Sequence, residues 1–427
     1  MKKKILSIFI IMLAAIVYSA FLVSSSLSIG ISIEKIKQKE VLEETVSTPK
    51  LYIEGNISDM TKFSGERIVT VKYEDNKNVF NKYATLKVQG NSSSFYIKKN
   101  YTIKFFNNEK VTDKFNVDFG WGKQHKYVIK ANWVDKTHTR NIVAANIAAQ
   151  AYRKYNLFTD TPNNSQIDGY PIEVYVNNEF HGLYTMNIPK DNWMMNMDKK
   201  NPNHLLLASE GWLPVNLMQE QVKGYIDWEI EVGEESQSTL DKFNRLITFL
   251  NTSTDEEFKK HVHEYLDVES TIIYYVMTQT FCFADNVGKN ILMATYDGKV
   301  WYPVLYDLDT SFGLEADGRK SYKSDLILNF KINKLFERIE DNYPEEIANT
   351  YFNLRKDILS VKNITSTIDN FYQTIPEHLL EKENEKWGPN LPGHETAELK
   401  DWISERLPVI DKYMKENFQT KQTKLRH

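Results

Sequence analysis

The stretch "FADNVGKNILMATYDGKVWYPVLYDLDTSFG", residues 283–313, decides how the whole chain is interpreted. In it Asp285 precedes Asn290 by five positions, and Asp307 and Asp309 follow as an Asp-x-Asp pair. Two strand-like runs lie between these groups and are joined by a glycine-containing turn. Because a hairpin brings its two ends together, we expect Asp307 to return close to Asn290, with Asp285 just outside that pair.

These four side chains present carboxylate and amide oxygens, which are the hard ligands that Mg²⁺ prefers. Protein kinases use the same layout: a catalytic Asp precedes a metal-binding Asn by five positions, and a second metal-binding Asp follows a short hairpin. The pattern therefore predicts a metal site with a proton acceptor beside it. The alternative interpretation is a solvated hairpin with acidic ends.

The composition is that of a globular protein with two or three lobes: 427 residues, 41% hydrophobic and 26% charged. Removing the three lysines of residues 1–33 takes the formal charge from −4 to −7. An acidic domain without a basic run is a poor nucleic-acid binder, so we expect no nucleic-acid partner. The single cysteine, Cys282, excludes an intramolecular disulfide and is expected to be a buried small hydrophobe.

The N-terminus is typical of a membrane segment. Three lysines at positions 2–4 precede an uncharged stretch that ends at Ile33, which is long enough to span a bilayer. The lysines predict a single-pass anchor at the cell membrane, with its N-terminus inside and the remaining domain extracytoplasmic. The alternative is a cleaved signal peptide and a secreted protein. Residues 34–50 follow as a charged linker.

The remaining chain predicts an α+β protein with two lobes. Residues 51–195 form a β-rich N-terminal lobe with one long helix, predicted over 137–155 and capped by Asp135 or Thr137. Residues 196–420 form a mostly helical C-terminal lobe that contains the acidic hairpin.

The N-terminal lobe offers possible phosphate contacts. In Tyr101-Thr102-Ile103-Lys104, Thr102 and Lys104 share one strand face, from which the lysine could reach phosphates. The turn Gly90-Asn91-Ser92-Ser93 could supply backbone N–H groups and hydroxyls. The alternative interpretation is that Lys104 is an ordinary strand lysine and that residues 90–93 form an ordinary turn. Asp118-Phe119-Gly120 spells a kinase metal motif, but it precedes the candidate base and is not expected to bind metal.

Four segments, taken together and in order, resemble the CotH kinase family, the spore-coat-protein-H-like atypical protein kinases. They are "LKVQGNSSSFYIKKNYTIKF" (86–105), "YVIKANWVDKTHTRNIVAANIA" (127–148), "PIEVYVNNEFHGLY" (171–184) and "DNVGKNILMATYDGKVWYPVLYDLDTSFG" (285–313). The resemblance covers roughly residues 50 to 410. It implies an atypical protein-kinase-like fold, ATP, Mg²⁺ or Mn²⁺, and phosphate transfer to Ser on spore-coat or cell-envelope proteins, with the spore coat as an alternative location.

The resemblance also implies roles for individual residues. Asp285 looks like the catalytic Asp, and Asn290 and Asp307 look like the metal ligands. Asp309 is either a further ligand or a structural acceptor. Lys104 looks like the phosphate-contacting lysine, beside the turn formed by Gly90, Asn91, Ser92 and Ser93.

The sequence departs from the family pattern in several places. Gln89 stands where the family usually has Arg, which could shift phosphate contact to Lys98 or Lys99. The segment 186–190 lacks the usual acidic residue at the expected adenine pocket, which leaves the choice of nucleotide open.

The predicted long helix carries no carboxylate for a Lys–Glu pair, and Glu173 is a possible substitute. Arg140, at the start of that helix, either faces the phosphates or caps the helix.

Two other functions compete with a kinase. Residues 306–311, "YDLDTS", resemble the nucleophile loop of haloacid-dehalogenase-like phosphohydrolases. The residues that follow are mostly helical and lack that family's later acidic motif, which argues against this function. A non-enzymatic coat or envelope scaffold is the other alternative, although a scaffold has no need for Asp285, Asn290 and Asp307 together.

Overall fold

The computed structural model describes residues 48–225, 227–388 and 395–419. The membrane segment predicted over residues 1–33 and most of the linker lie outside these described residues. Within them, none of the helices combines the length and the apolar character needed to cross a bilayer.

Seven strands of the N-terminal lobe close into a barrel in the order β1-β2-β3-β4-β7-β9-β8, and β1 returns to β8. Neighbouring strands are antiparallel except for the parallel pair β1 and β8. A separate two-stranded sheet joins β5 to β6. The strands are Lys50–Glu54 (β1), Arg67–Glu74 (β2), Val79–Gln89 (β3), Asn100–Phe106 (β4), Val117–Asp118 (β5), Lys123–Gln124 (β6), Lys126–Lys130 (β7), Gly169–Val176 (β8) and Glu179–Asn187 (β9).

The barrel forms because its strands alternate apolar and polar residues, which places one set of side chains inside. Tyr101 and Ile103 of β4 are buried in the barrel core, as their alternation predicts. The hairpin between β8 and β9 turns at Asn177 and Asn178, whose φ angles of 50° and 66° suit a two-residue turn. The β-rich N-terminal lobe is therefore confirmed, while its closure into a barrel depends on the long-range pairing of β1 with β8.

The C-terminal lobe contains a four-stranded sheet in the order β11-β10-β12-β13, and the helix Val268–Phe281 packs against β13. Its strands are Leu205–Ser209 (β10), Trp228–Val232 (β11), Ile291–Thr295 (β12) and Tyr302–Leu305 (β13). The helices of both lobes are Arg140–Lys154 (α1), Gln237–Thr252 (α2), Asp255–His261 (α3), Val268–Phe281 (α4), Lys334–Asn342 (α5), Pro344–Arg355 (α6), Val361–Tyr372 (α7), Glu377–Trp387 (α8) and Thr396–Met414 (α9). The α+β class is confirmed.

The long helix of the N-terminal half, α1, begins at Arg140 and not at Thr137 as predicted. His138 has a φ of 55°, so the chain is not helical there. The carboxylate of Asp135 accepts hydrogen bonds from the backbone N–H groups of Thr139 and Arg140, at 2.9 and 2.7 Å. Asp135 therefore satisfies the first free donors of the helix, although it lies outside the helix itself.

The central helix α4 carries the acidic hairpin. Almost all of its side chains are buried, and it ends at Cys282, which is buried in a left-handed conformation. A short 3₁₀ turn, Ala284–Val287, leads from there into β12. The start of the hairpin is thus fixed to the core of the C-terminal lobe.

Candidate active site

The two ends of the hairpin meet, as predicted. Ile291 of β12 pairs with Leu305 of β13, which brings Asn290 beside Tyr306 and Asp307. Both Asn290 and Asp307 adopt left-handed backbone conformations, with φ angles of 59° and 56°. Such conformations are uncommon for residues other than glycine and often occur at functional sites.

Asn286 connects the ends of the hairpin. Its side-chain N–H group donates to the carbonyl oxygen of Tyr306 at 2.9 Å and to that of Asn290 at 3.4 Å. The carbonyl oxygen of Asn286 accepts a 2.8 Å hydrogen bond from the buried Tyr274 hydroxyl. Asn286 was not predicted as a site residue, although it lies directly after Asp285.

The three aspartates influence each other electrostatically. Burial raises the pKa of Asp309 to about 8, and Asp307 adds to this shift. Burial also raises the pKa of Asp285, again with a contribution from Asp307, while Lys289 opposes it. Burial acts on Asp307 in the same direction, but Lys130 and Lys190 outweigh it and hold the pKa of Asp307 below its usual value. Asp307 therefore lies close enough to Asp285 and Asp309 to raise the pKa of both.

The lysine that reaches the hairpin is Lys130, the last residue of β7. Its Nζ lies 3.1 Å from Oδ1 of Asp307, and its side chain is mostly buried. Burial disfavours the charged ammonium, but Asp307 and Tyr306 outweigh it, so the pKa of Lys130 lies above its usual value. Lys130 was not among the predicted site residues.

Lys104, which was predicted to contact phosphate, lies elsewhere on the barrel. Its Nζ pairs with Glu66, and the β4–β7 register places Lys104 opposite Lys126. Its prediction as a nucleotide contact stays a prediction.

The segment Gly90–Ile97, between β3 and β4, contacts the C-terminal lobe at two points. The Asn91 side chain donates to Glu210 Oε2 at 2.6 Å, and the Tyr96 hydroxyl donates to the Ala316 carbonyl oxygen at 3.0 Å. Gly90 has a φ of 101°, and a Cβ atom there would lie 2.0 Å from Ser93 Oγ, so the position requires glycine. The predicted turn thus crosses between the lobes. Burial raises the pKa of Tyr96, and Asp309 adds to this shift.

Arg140 is buried and already bound within the protein. Its guanidinium pairs with Asp135 at 2.6 Å and donates to the Ser311 carbonyl oxygen at 3.2 Å. This pairing links the start of α1 to the chain just after the hairpin.

Two other residues considered in the sequence are engaged locally. Glu173 accepts a 2.6 Å hydrogen bond from Tyr175. Asp118 accepts hydrogen bonds from the turn after β5.

Lys190 forms a charged cluster on the other side of Tyr306. Its Nζ lies 2.7 Å from Glu231, 3.6 Å from Glu210 and 5.0 Å from the centre of the Tyr306 ring. Lys190 lies in the segment that the sequence analysis assigned to the border of the adenine pocket. The cluster was not predicted, because its acidic members come from β11 and the end of β10.

The donor set fits a hard divalent cation by its chemistry. Within the described residues, no group of three or more His, Cys, Asp or Glu side chains is arranged to hold a metal ion. The predicted set is of another kind, since it combines the carboxylates of Asp307 and Asp309 with the amide of Asn290. Burial and, secondly, the neighbouring Asp307 raise the pKa of Asp309, and a bound cation would favour its ionised form.

Comparison with known proteins gives one positive result. The sequence profile of a family described as CotH kinase protein matches residues 86–410. No curated protein matches the chain. The matched range includes the barrel strands from β4 onward, the acidic hairpin and most of α9.

Proposed function

Because the chain belongs to the CotH kinase family, we propose that it is a protein kinase that transfers the γ-phosphoryl group of ATP to a serine hydroxyl. The observation that carries this proposal is the approach of Lys130 to Asp307, beside Asp285 and Asn290 at the ends of one hairpin. A lysine from the N-terminal lobe and a metal-binding carboxylate from the C-terminal lobe are the pair that kinases direct at the phosphates of ATP.

Asp285 is the proposed catalytic residue. In this role its carboxylate accepts a hydrogen bond from the serine hydroxyl, orients the oxygen toward the γ-phosphorus and takes its proton during transfer. Burial raises its pKa, which increases its affinity for that proton. Lys289, four residues further on, opposes the rise and helps to keep the carboxylate ionised.

Asn290 and Asp307 are the proposed ligands of Mg²⁺ or Mn²⁺, with Asp309 as a third oxygen donor. When bound, the ion would neutralise charge on the phosphate oxygens of ATP. Asp307 also holds the ammonium of Lys130 at 3.1 Å, so the lysine lies beside a proposed ligand of the ion.

We assign the phosphate contact to Lys130 as a working proposal, with Lys104 as the alternative that the sequence favours. The backbone N–H groups of Gly90, Asn91, Ser92 and Ser93 are proposed to approach the phosphates from the other lobe. Arg140 is proposed to act indirectly, because its guanidinium already binds Asp135 and the Ser311 carbonyl group.

The proposed substrate is a spore-coat or cell-envelope protein, and the proposed location is the cell membrane. Residues 1–33 would anchor the chain with its catalytic domain on the extracytoplasmic side. The alternatives are secretion after cleavage and attachment to the spore coat. Fractionation of cells that make the full-length chain tests the anchor: recovery of the uncleaved chain in the soluble fraction alone would contradict it.

Activity is tested with the purified full chain, radiolabelled ATP, Mg²⁺ or Mn²⁺, and spore-coat or envelope extract as acceptor. The expected result is labelled protein that yields phosphoserine after acid hydrolysis, with no label from the Asp307→Asn variant. Release of inorganic phosphate without labelled protein would favour the phosphohydrolase alternative. Absence of both would favour the scaffold.

A further inference from the structure

The helix α8 packs against the barrel at β9, where Leu379 and Leu183 belong to one small buried apolar cluster. The Trp387 indole N–H group donates to the His181 carbonyl oxygen at 2.8 Å. The approach requires Gly182, whose φ is 152°: a Cβ atom there would lie 2.8 Å from Lys98 Cε and 3.0 Å from Glu383 Oε2. A residue with a side chain at position 182 would therefore displace both partners of an ion pair.

That ion pair joins Lys98 and Glu383, and both side chains are buried. The Lys98 ammonium donates to Glu383 Oε1 at 2.5 Å, to the Leu183 carbonyl oxygen at 2.5 Å and to the Ala131 carbonyl oxygen at 3.2 Å. A lysine ammonium has three donors, so all of them are used inside the protein. Lys98 is thus saturated and has no free donor for a phosphate oxygen.

Both carboxylate oxygens of Glu383 also have hydrogen-bond partners inside the protein. Its Oε1 accepts from Lys98, and its Oε2 accepts from the backbone N–H group of Leu183 at 2.7 Å. A single carboxylate on α8 therefore binds the start of β4 through Lys98 and the middle of β9 directly. Removal of one partner would leave the other buried and uncompensated, which is costly.

Two residues joined by these hydrogen bonds, Ala131 and Lys98, are adjacent in sequence to parts of the candidate active site. Ala131 directly follows Lys130, the lysine that contacts Asp307. Lys98 directly follows the segment Gly90–Ile97, which reaches Glu210 and Ala316 in the C-terminal lobe. The pair therefore fixes the chain next to two parts of the N-terminal lobe that contact the C-terminal lobe.

We propose that the buried Lys98–Glu383 pair is a positioning device, by which helix α8 holds Lys130 and the segment Gly90–Ile97 in place for the nucleotide. This inference rests on the proposed kinase function and deepens it. The sequence of α1 offers no carboxylate that could pair with a strand lysine. Among the described residues, one Lys–Glu pair has both side chains less than a tenth exposed, and its carboxylate comes from α8.

The test compares variants of the full chain at a temperature where circular dichroism shows each of them to be folded. Glu383→Gln can accept from only one of its two donors, so we expect the Kd and KM for ATP to rise about tenfold, since small displacements of binding groups are costly. The double variant Lys98→Met/Glu383→Leu removes both charges and should recover thermal stability. It lacks the bonds to Ala131 and Leu183, so its ATP affinity should remain low.

A matched control separates positioning from general stability. Asp411→Asn weakens the partly buried pair between Arg355 and Asp411, which joins two helices of the C-terminal lobe at 2.7 Å. This variant should lower the melting temperature while the Kd for ATP stays within twofold of the wild type. Trp387→Phe removes the bond to His181 and reduces the aromatic contacts with Trp133 and His181, but it leaves no buried charge uncompensated. It therefore loosens α8 mildly, and we expect a two- to threefold rise in KM for ATP (roughly the loss of one modest hydrogen bond).

The outcomes distinguish this inference from the proposed function. If the wild type binds ATP and the folded Glu383→Gln, double and Trp387→Phe variants bind it equally well, the pair is structural only and the inference is overturned. If the double variant does not fold, Trp387→Phe and Glu383→Gln decide the matter alone. If the wild type itself binds no nucleotide, the proposed function fails and the inference falls with it.

Discussion

Lys104 and Lys130 end nearly identical four-residue stretches in two neighbouring strands, yet their surroundings differ. β4 contains Tyr-Thr-Ile-Lys at 101–104, and β7 contains Tyr-Val-Ile-Lys at 127–130. The strands are antiparallel, so Lys104 lies opposite Lys126 and Lys130 lies at the other end of the pair, roughly 13 Å away along the strands. Lys104 pairs with Glu66 at the surface, whereas Lys130 pairs with Asp307.

The difference shows that strand direction, and not the local pattern, determines which lysine faces the other lobe. The Lys104 side chain is 30% exposed and that of Lys130 is 13% exposed. An exposed pair such as Lys104–Glu66 contributes little free energy, because water screens it. A mostly buried lysine held beside a partly exposed carboxylate is suited to meet a second anion, such as a phosphate group.

The largest effect on ATP binding is expected for Asp307→Asn, which replaces the carboxylate that pairs with Lys130 by a neutral amide. A neutral amide is a poorer ligand for Mg²⁺ than a carboxylate, so metal-dependent ATP binding should weaken about a hundredfold or more. Isothermal titration calorimetry with ATP, with and without Mg²⁺, measures this. An unchanged Kd would place the nucleotide site away from the hairpin.

The variants Lys130→Met and Lys104→Met test which of the two lysines contacts the phosphates of ATP. Loss of a phosphate-contacting ammonium should raise the Kd for ATP about tenfold to a hundredfold in Lys130→Met, since charge-assisted hydrogen bonds are worth about 1.5–3 kcal/mol. Lys104→Met should change it less than twofold. The reverse order of effects would restore Lys104 as the phosphate contact.

A smaller effect is expected where the Gly90–Ile97 segment meets the C-terminal lobe. Tyr96→Phe removes the hydroxyl that donates to Ala316, and one such bond is worth about 1 kcal/mol. The KM for ATP should rise about two- to fivefold, with little change in the melting temperature. Steady-state kinetics against Tyr83→Phe, a barrel tyrosine away from this segment, provides the comparison, and equal kinetics in both variants would count against a role for the segment.

The smallest effect on activity is expected for substitution of His138. Protonation of this histidine should nevertheless change the free energy of unfolding by a measurable amount. Burial, with a contribution from Lys98, lowers its pKa to about 4 in the folded protein. Between pH 6.5 and pH 4 this histidine binds a proton mainly after unfolding, so the free energy of unfolding falls as the pH is lowered. The expected loss from His138 at pH 5 is about 2 kcal/mol. Urea unfolding at pH 7 and pH 5 should show a weaker pH dependence in His138→Asn, and an identical dependence would contradict this account.

The parts of the site that lie close together in sequence were predictable. The turn and the strands of the hairpin fix the approach of Asn290 to Asp307, and local alternation identified the faces of β4. Lys130 was missed because its meeting with Asp307 joins residues far apart in the chain through the barrel register. Glu383 was missed for the same reason, since no local pattern connects α8 to Lys98. The start of α1 was placed three residues early because the left-handed His138 gives no signal in sequence.

The central claim is that the stretch beginning at Asp285 is a catalytic loop, and Asp285→Asn tests it most directly. The amide preserves the shape of the side chain but cannot take a proton, so ATP and metal binding should remain close to the wild type. Phosphate transfer to serine should fall by about 10²- to 10⁴-fold, the usual worth of a general base. Single-turnover transfer, measured beside calorimetric ATP affinity on the same preparation, gives both numbers. Near-normal transfer by Asp285→Asn would contradict the assignment and favour a solvated acidic hairpin.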